Sequence, residues 1–398
     1  MNQNKKICVI GLGYIGLPTA ALLANRGYDV HGVDVVQSTV DTINKGQIHI
    51  VEPELDTFVH SAVNSGKLKA SLTPATAEVF IIAVPTPFHE GYVPNVDYIV
   101  SATKAIAPFV KQDDIVILES TSPVGTTDLV EETLQNENVD TSKLFIAHCP
   151  ERVLPGHIMR ELVENDRIVG GTTPKATAKT VEFYKTFVEG EVLSTDARTA
   201  EMAKLTENSF RDTNIAFANE LSILCDKFGI DVWELISLTN RHPRVNVLNP
   251  GAGVGGHCIA VDPWFIVHAG GDDARMIKTA REVNTYKTEW AIEKIKNTAL
   301  TFEKENGRKA KIACMGLAFK PDIDDLRESP AVYITKSLMV QGFDVLAVEP
   351  NIESHDEFEI VEYKKALEEA DVVTFLVGHN EFKGLEIETE LDFCGILN

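Results

Sequence analysis

The first part of the chain alternates short apolar runs with longer amphipathic segments, which is the pattern of βαβ units. Residues 6–10 form an apolar run that predicts a strand, and a glycine-rich turn follows it. A helix is predicted over 17–26 and a second strand over 28–33. Later apolar runs over 79–84 and 115–118 predict strands alternating with helices. This order predicts an α/β fold with a doubly wound parallel sheet, whose ligands bind beyond the carboxyl ends of the strands.

The last part of the chain repeats the pattern of the first part. Residues 311–316 match the first strand and its turn, 341–349 match 26–34, and 370–377 match 77–84. We therefore expect a second Rossmann-like domain at the C-terminal end. Its turn lacks the G-x-G-x-x-G spacing, which makes it a poor dinucleotide site and a reasonable place for a different nucleotide.

The middle of the chain has the periodicity of long helices. One helix is predicted over 199–227, with the polar residues Lys204, Asn208 and Arg211 on a single face. Residues 272–306 contain little glycine or proline and predict a second long helix, which would connect two domains. A helical spacer between similar domains is also a natural surface for dimerisation.

Composition and charge limit the classes of function. The chain has 398 residues, of which 44% are hydrophobic and 24% charged, as in a soluble globular protein of two or three domains. The net charge of −22 argues against a nucleic-acid partner, although a local basic cluster can still bind a small anion. No apolar run approaches the roughly 20 residues of a membrane span, and no signal-peptide core precedes the first strand. We therefore expect a cytoplasmic protein.

The six cysteines are scattered and form no CxxC pair, which is typical of a reducing compartment. Cys8 and Cys314 lie in apolar strand patterns and are expected to be core residues. His257 has no second histidine or cysteine at ligand spacing, so no metal site is predicted.

Cys258 differs from the others because it ends a glycine-rich loop, 250–258, and is followed by Asp262. A presented thiolate can add to an aldehyde, and the resulting tetrahedral carbon can lose hydride to leave a thioester. Asp262 is placed to help water cleave that ester, while Lys204 and Asn208 can stabilise the developing oxyanion. The alternatives are a buried turn at the cysteine and an ordinary solvated helix face.

The turn after the first strand has the spacing of a dinucleotide-binding loop, formed by Gly11, Gly13, Tyr14, Ile15 and Gly16. Asp34 ends the next strand, where a carboxylate can accept hydrogen bonds from ribose hydroxyls. Val35 and Val36 provide no cation for a 2′-phosphate, so NAD is expected rather than NADP. A glycine turn that serves only tight packing is the alternative.

Residues after other strands are further candidates, because ligands bind at the carboxyl ends of strands. These are Pro85 and Thr86 for the cofactor, Thr121 for water or the nicotinamide, Glu151 with Arg152 and Val153 near the same edge, and Lys320 and Arg327 for a diphosphate in the second domain. Structural turns and a solvated loop are the alternatives for these segments.

Six sequence blocks resemble the UDP-glucose/GDP-mannose dehydrogenase family over essentially the whole chain. They are Gly-Leu-Gly-Tyr-Ile-Gly-Leu-Pro, Ser-Thr-Ser-Pro-Val-Gly-Thr, Cys-Pro-Glu-Arg, Ala-Glu-Met-Ala-Lys-Leu-Thr-Glu-Asn, Gly-Gly-His-Cys and Phe-Lys-Pro followed by Asp-Asp-Leu-Arg-Glu-Ser-Pro. The resemblance implies oxidation of the 6-hydroxyl of a nucleotide sugar to a carboxylate with two NAD molecules. It also implies a homodimer or a higher homo-oligomer.

The resemblance further implies roles for individual residues. Cys258 would be the nucleophile, Lys204 and Asn208 would stabilise the oxyanion or act as acid and base, Asp262 and Thr121 would handle the water, and Glu151 would be an active-site acid/base. Lys320 would contact the substrate, Arg327 would reach the cofactor, and Arg244 would be donated across a dimer to the substrate diphosphate. Further substrate contacts are expected from Arg152, Val153, Arg211 and Gly255.

The implied domains are an NAD-binding Rossmann-like domain over 1–197, a central helical and dimerisation region with the cysteine loop over 198–306, and a UDP-sugar-binding Rossmann-like domain over 307–398.

Two residues depart from the UDP-glucose branch of the family: Pro155 replaces a glutamate and Val261 replaces a lysine. These departures argue against UDP-glucose. The segments 240–250 and 255–266 resemble instead the family members that act on UDP-N-acetylhexosamines, so the resemblance implies a UDP-N-acetylhexosamine as substrate, with its configuration at C2 left open. A non-catalytic sensor of nucleotide sugar or NAD on the same fold is the rival hypothesis.

Overall fold

The computed structural model describes residues 5–256 and 258–397. The chain divides into two compact units. The first consists of the residues up to Thr206 together with Trp264–Ala269, and the second of Glu207–Pro263 together with the residues from Gly270 onward. No helix of the described part of the chain has both the length and the apolar character needed to cross a membrane.

The strands, in chain order, are β1 (Lys6–Ile10), β2 (Asp29–Val33), β3 (Leu68–Ser71), β4 (Val79–Ile82), β5 (Phe88–His89), β6 (Val93–Pro94), β7 (Ile115–Leu118), β8 (Phe145–His148), β9 (Arg167–Gly171), β10 (Val192–Asp196), β11 (Lys311–Met315), β12 (Asp344–Val348) and β13 (Val372–Phe375).

The α-helices are α1 (Gly16–Asn25), α2 (Gln37–Asn44), α3 (Leu55–Asn64), α4 (Asp97–Ile106), α5 (Thr126–Asn136), α6 (Ile158–Glu164), α7 (Pro174–Tyr184), α8 (Ala197–Phe228), α9 (Val232–Thr239), α10 (Asp262–Gly270), α11 (Arg275–Asn306), α12 (Pro330–Val340) and α13 (Tyr363–Glu369). Short 3-10 helices cover Glu90–Tyr92, Ala107–Phe109, Thr141–Lys143, Gly271–Asp273 and Asn380–Phe382.

The first unit is built on an eight-stranded sheet with the order β10-β9-β8-β7-β4-β1-β2-β3. Its pairs are parallel except for β8 with β9, which is antiparallel. Helices cover both faces, so alternate residues of β1 belong to different cores: Ile7 and Val9 pack with α1, whereas Cys8 packs with α4 and α5. This arrangement explains why the central strands read as continuous apolar runs instead of alternating patterns.

The predicted elements are found with small shifts at their ends. The strand predicted over 79–84 ends at Ile82, because the Val84 N–H leaves the sheet and donates to Ser120 Oγ at 2.8 Å. The helix predicted from residue 272 begins at Arg275, and a 3-10 turn over Gly271–Asp273 comes before it. The helix predicted over 199–227 is α8.

The second unit contains a parallel three-stranded sheet with the order β12-β11-β13. The predicted internal repeat extends to individual hydrogen bonds. Gly11 N donates to Val33 O at 2.8 Å, and Gly316 N donates to Val348 O at 2.8 Å. Gly11 and Gly316 have φ angles of 89° and 88°, a backbone conformation that residues other than glycine rarely adopt. Rossmann-type sheets near both ends of the chain, with long helices in the intervening sequence, confirm the predicted fold class.

Candidate active site

The glycine turn after β1 has the geometry of a dinucleotide-binding loop. A Cβ at Gly16 would lie 1.8 Å from the Gly11 carbonyl oxygen, and a Cβ at Gly11 would lie 2.4 Å from the Ala83 oxygen. A Cβ at Gly13, in contrast, would meet nothing within 4 Å. Two glycines therefore permit the tight turn, while the third leaves an open face at the start of α1, where a pyrophosphate binds in such folds.

Asp34 lies at the end of β2 and is tied to this turn. Its carboxylate accepts hydrogen bonds from the N–H groups of Leu12 at 3.1 Å and Val36 at 2.9 Å. Each carboxylate oxygen can accept more than one hydrogen bond, so capacity remains for ribose hydroxyls. Val35 is 91% exposed and brings no cation to this edge. Tyr14 is exposed and Ile15 precedes the first turn of α1. These residues fit NAD.

The loops after β4 and β7 contact each other. Thr86 Oγ1 donates to the Thr121 carbonyl oxygen at 2.6 Å, which joins two predicted cofactor residues. Glu201 fixes the rest of the second loop by accepting hydrogen bonds from Gly125 N at 2.6 Å and from Thr127 N at 2.7 Å. Pro85 is exposed at the same strand end. The structure thus brings Thr86 and Thr121 together at the carboxyl edge of the sheet.

Glu151 is buried in an ion pair that the sequence did not predict. Its Oε2 accepts a hydrogen bond from Arg167 Nη1 at 2.6 Å, and its Oε1 accepts one from Arg152 N at 2.6 Å. Arg167 is 1% exposed. Val153 and Arg152 are half-buried in the loop that follows. The sequence feature that could have indicated this pair is Arg167, a single arginine directly before the apolar run Ile-Val-Gly-Gly.

Glu119 lies in the same buried cluster. It accepts hydrogen bonds from Tyr184 OH at 3.2 Å and from Thr19 Oγ1 at 3.4 Å. Burial, and next the nearby Glu151 carboxylate, raise the pKa of Glu119 to about 8, against the opposing effect of Arg167. The protonated form of Glu119 is therefore favoured, next to the pair that Glu151 forms with Arg167.

Asn208 and Asp262 are directly hydrogen bonded. The Asn208 side-chain nitrogen lies 2.5 Å from Asp262 Oδ2, and both residues are buried. Lys204 is half-buried one turn earlier on α8. Arg211, predicted on the same face, is exposed. The polar face of α8 is therefore not uniformly solvated, because Asn208 is buried against the acid that follows the cysteine loop.

Cys258 is joined to Asp262 through the backbone. The N–H groups of Val261 and Asp262 donate to the Cys258 carbonyl oxygen at 3.1 and 2.8 Å, which closes a turn at the start of α10. The Cys258 side chain is exposed. His257 lies outside the described residues.

The remaining cysteines differ from Cys258 in burial. Cys8 and Cys314 are fully buried, which confirms the prediction that they belong to the core. Burial raises the pKa of Cys8 to about 11, and those of Cys149 and Cys314 to about 12. Cys225 is buried and Cys394 is half-buried, and burial raises the pKa of each thiol. An exposed thiol is the one suited to attack a substrate, since the thiolate is the nucleophile.

The glycine loop packs against the segment that carries Lys320 and Arg327. A Cβ at Gly255 would lie 2.5 Å from the Glu328 oxygen, and Gly256 N donates to Arg327 O at 3.3 Å. Lys320 is half-buried, and the Arg327 guanidinium contacts Asp325 at 2.6 Å. Three of the predicted residues thus lie in one packed region of the second unit. Arg244 is exposed in the segment that follows α9.

A cavity of about 420 Å³ lies at the end of β12, lined by Val348, Glu349, Pro350, Ile352, Ile360, Val361, Glu362, Tyr363 and Glu381. None of the predicted site residues lines it. Glu349 occupies the place that Asp34 has in the first repeat, and it accepts hydrogen bonds from Leu317 N at 2.7 Å and from His379 Nε2 at 3.0 Å. Burial alone would raise its pKa, but these hydrogen bonds lower it to about 2. At the position that Asp34 has in the first repeat, Glu349 is thus hydrogen bonded to the protein's own histidine.

One group of possible metal ligands comes together nearby, where ligand atoms of Asp322, His379 and Glu381 lie within 4.8 Å of one another. The Asp322 N–H donates to His379 Nδ1 at 3.0 Å, so Nε2 carries the proton that is shared with Glu349. Both ring nitrogens are therefore engaged within the protein. We assign no metal to this group.

Comparison with known proteins identifies the family. Sequence models of the UDP-glucose/GDP-mannose dehydrogenase family match its NAD binding domain to residues 5–188, its central domain to 198–286 and its UDP binding domain to 313–393. The chain belongs to the UDP-glucose/GDP-mannose dehydrogenase family. It is therefore an NAD-dependent nucleotide-sugar dehydrogenase, and the predictions of an enzyme and of NAD as its cofactor are confirmed.

Individual relatives cover nearly the whole chain. A UDP-N-acetyl-D-mannosamine dehydrogenase of Campylobacter jejuni is 57% identical over 99% of this chain and 100% of its own length. An NDP-N-acetyl-D-galactosaminuronic acid dehydrogenase of Ralstonia nicotianae is 53% identical, covering 96% of this chain and 93% of the relative. The solved structure of a UDP-D-ManNAc dehydrogenase from Pyrococcus horikoshii is 39% identical with a TM-score of 0.87, covering 96% of this chain and 91% of that one.

Proposed function

We propose that this protein oxidises the C6 hydroxyl of UDP-N-acetyl-D-mannosamine to the carboxylate of UDP-N-acetyl-D-mannosaminuronate, through an aldehyde and a thioester on Cys258. The observation that carries the proposal is the hydrogen-bonded arrangement of Asn208, Asp262 and the turn that presents the exposed Cys258 thiol. The 57% identity to the Campylobacter jejuni enzyme supports the sugar.

Bound NAD supplies the hydride acceptor for both oxidation steps. In the first step the C6 hydroxyl loses its proton to a base and its carbon-bound hydrogen as hydride, which leaves an aldehyde. We assign Lys204 and Asn208 to the oxygen of C6, where an ammonium and an amide N–H can stabilise negative charge. We assign Glu151 to acid/base chemistry, and the hydrogen bond from Arg167 holds its carboxylate in place.

The second oxidation is assigned to Cys258. Its thiolate adds to the aldehyde carbon, and the tetrahedral carbon then loses hydride, leaving a thioester. Asp262 accepts a proton from the attacking water, with Thr121 orienting that water. The carbon–sulfur bond then breaks, giving the carboxylate and the free thiol. The hydrogen bond from Asn208 holds the Asp262 carboxylate for this step.

We assign the nucleotide end of the substrate to the second unit. Lys320 and Gly255 lie in the packed region beside the cysteine loop. Arg152, Val153 and Arg211 remain proposed substrate contacts, and Arg327 remains a proposed cofactor contact. The three domains expected over 1–197, 198–306 and 307–398 remain part of this proposal, as does a cytoplasmic location.

We also propose a homodimer in which Arg244 reaches the partner's substrate diphosphate. α8 supports this because it exposes apolar side chains at heptad spacing: Phe210 is 68% exposed, Phe217 60% and Leu224 40%. Such a stripe is typical of a helix that packs against another helix.

A second candidate is oxidation of UDP-N-acetyl-D-galactosamine, which the relative from Ralstonia nicotianae favours. UDP-N-acetyl-D-glucosamine is the alternative that differs from UDP-N-acetyl-D-mannosamine only at C2. A sensor without activity would need neither the exposed Cys258 thiol nor the Asp262 carboxylate that Asn208 holds.

The test is NADH formation with each of these three nucleotide sugars and with UDP-glucose, run to completion with the sugar limiting. Two NADH per UDP-N-acetyl-D-mannosamine, with the other sugars slower, is the expected result. Faster oxidation of another UDP-N-acetylhexosamine would overturn the substrate assignment and keep the chemistry. Tight binding of NAD and UDP-sugar without NADH formation would favour the sensor.

A further inference from the structure

A buried chain of hydrogen bonds joins α11 to α8 inside the second unit. Arg281 Nη1 donates to Asp212 Oδ1 at 2.6 Å, and Asn284 Nδ2 donates to the same oxygen at 2.8 Å and to the Asp212 carbonyl at 3.1 Å. Asn219 Nδ2 donates to Asn284 Oδ1 at 2.9 Å. All four side chains are at least nine-tenths buried. Two atoms of this group, Asp212 Oδ2 and Arg281 Nε, are buried without a hydrogen-bond partner among the described residues. The amides of Asn219 and Asn284 are paired, and because an unpaired buried amide is costly, their pairing restricts the geometry of these hydrogen bonds.

The chain ends on the backbone that leads to Cys258. The Gly251 N–H donates to Asn219 Oδ1 at 2.9 Å. One turn after Asn284, Thr288 Oγ1 donates to the Ala252 carbonyl at 3.0 Å. A Cβ at Gly253 would lie 2.2 Å from Thr288 Oγ1, so the loop lies directly on this threonine. Two neighbouring residues of the glycine loop, Gly251 and Ala252, are therefore held through their backbone by side chains of α8 and α11.

The groups at the two ends of this series of hydrogen bonds determine which way the side-chain amides of Asn219 and Asn284 face. The Gly251 N–H can only donate, so the Asn219 oxygen must face it and the Asn219 nitrogen must face Asn284. At the other end the Asp212 carbonyl can only accept, so the Asn284 nitrogen must face Asp212. Reversing either amide would place two donors or two acceptors together in a buried space. The hydrogen bonds of Asn219 and Asn284 thus all run in one direction, and they have one stable arrangement.

We propose that Asn219, Asn284 and Thr288 are positioning residues that set the place of Cys258 through the backbone of the glycine loop. The proposal rests on the proposed function, since it concerns the placement of its nucleophile. None of the three touches the reacting atoms. Placement matters because an error of about 1 Å in a reacting group can reduce the rate about a hundredfold.

The first variant is Asn219→Asp, which preserves the shape and the acceptor for Gly251 N but replaces the donor to Asn284 with an oxygen. Whichever way Asn284 then turns, one acceptor faces another. The second variant, Thr288→Val, has nearly the same volume and removes only the hydroxyl that holds Ala252. It adds no charge, so it decides the test if the first variant fails to fold.

Matched controls lie on α11. Thr285→Val removes a hydroxyl that donates to the Arg281 carbonyl at 3.0 Å, away from the loop. Asn297→Asp makes the same charge change as the first variant at an exposed position. Both controls are expected to have the kinetics of the wild type.

Two readouts separate positioning from stability. One is the second-order rate of Cys258 alkylation by iodoacetamide across pH, measured on the Cys258 peptide by mass spectrometry. The other is kcat together with the KM for NAD. We expect the loop variants to change the alkylation rate or its pH midpoint, and to lower kcat about tenfold or more, with the KM for NAD unchanged.

Alkylation and kcat equal to the controls in both variants would overturn the proposal. The same would follow if kcat fell only in proportion to the melting temperature while the alkylation rate and its pH midpoint equalled those of the controls. A wild type without dehydrogenase activity would instead overturn the proposed function, and the alkylation comparison would still decide whether Asn219 and Thr288 position the thiol.

Discussion

The Asn208 side-chain amide donates a hydrogen bond of 2.5 Å to the Asp262 carboxylate, and both groups are buried. The Asp262 N–H donates in turn to the Cys258 carbonyl at 2.8 Å. Hydrogen bonds therefore connect Asn208 of α8 to Asp262, and Asp262 to the backbone of Cys258. The proposed role of Asn208 as a donor to the substrate oxygen is therefore combined with a hydrogen bond that orients the proposed base, Asp262.

The variant Asn208→Asp tests this relationship. It would place two carboxylates about one hydrogen-bond length apart and remove the amide donor, so we expect kcat to fall about a hundredfold or more. Asn297→Asp, with the same change at an exposed position, should leave kcat unchanged. Steady-state NADH formation measures both. A fall of less than threefold in Asn208→Asp would contradict the assigned roles.

The cofactor site is tested by Asp34→Ala. Loss of the carboxylate removes the acceptor for the ribose hydroxyls and also releases the Leu12 and Val36 N–H groups. We expect the KM for NAD to rise about tenfold or more. Asp41→Ala, at an exposed position of α2, is the control. An unchanged KM for NAD in Asp34→Ala would remove Asp34 from the cofactor site.

The buried Glu119 predicts a pH dependence of stability. Its pKa in the folded state is about 8, above its ordinary value of 4.5, so the folded protein retains a proton that the unfolded chain releases between these values. The free energy of unfolding should therefore fall as the pH rises from about 4.5 to about 8. Glu119→Gln, a neutral side chain of the same shape, should remove this part of the slope. Urea unfolding across this range tests it, and an unaltered slope in the variant would show that Glu119 is ionised.

Lys287 predicts a slope of the opposite sign. Its ammonium is buried, donates to Ser222 Oγ at 2.7 Å and lies 3.9 Å from the Trp290 ring centroid. Burial, and next the neighbouring Lys294, lower the pKa of Lys287 to about 7, whereas Asp226 opposes the shift. Above pH 7 the unfolded chain holds the extra proton, so stability should rise toward about pH 10.5. The free energy of unfolding of the Lys287→Met variant should depend less on pH over this range. Urea unfolding measures it, and the same slope in the variant as in the wild type would argue against a lowered pKa for Lys287.

Much of the fold follows from local patterns. The strands at 6–10 and 115–118 were predicted at their observed bounds because buried parallel strands are continuous apolar runs. The repeat between the two ends was also readable, since Asp34 and Glu349 occupy matching positions after matching strands. The glycine turn, the acid that follows β2 and the glycine-rich loop before Cys258 are local features too, and the sequence indicates them without any knowledge of distant contacts.

Other features depend on contacts between distant parts of the chain, so no local pattern contains them. The pairing of Arg167 with Glu151 and the antiparallel contact of β8 with β9 belong to this class. The same is true of the chain from Arg281 to Asn219, because a buried asparagine and an exposed one look alike in a helical pattern. The hydrogen bond between His379 and Glu349 is another contact that could be recognised only in the folded structure.

The most direct test of the central claim is the covalent state of Cys258 during turnover. The Asp262→Asn variant, mixed with NAD and UDP-N-acetyl-D-mannosamine, should form NADH and then stall with the sugar acid bound to the Cys258 peptide, as seen by mass spectrometry. Adding Cys258→Ser should abolish this adduct and the formation of acid. Formation of the acid at the wild-type rate by the Cys258→Ser variant would contradict the account.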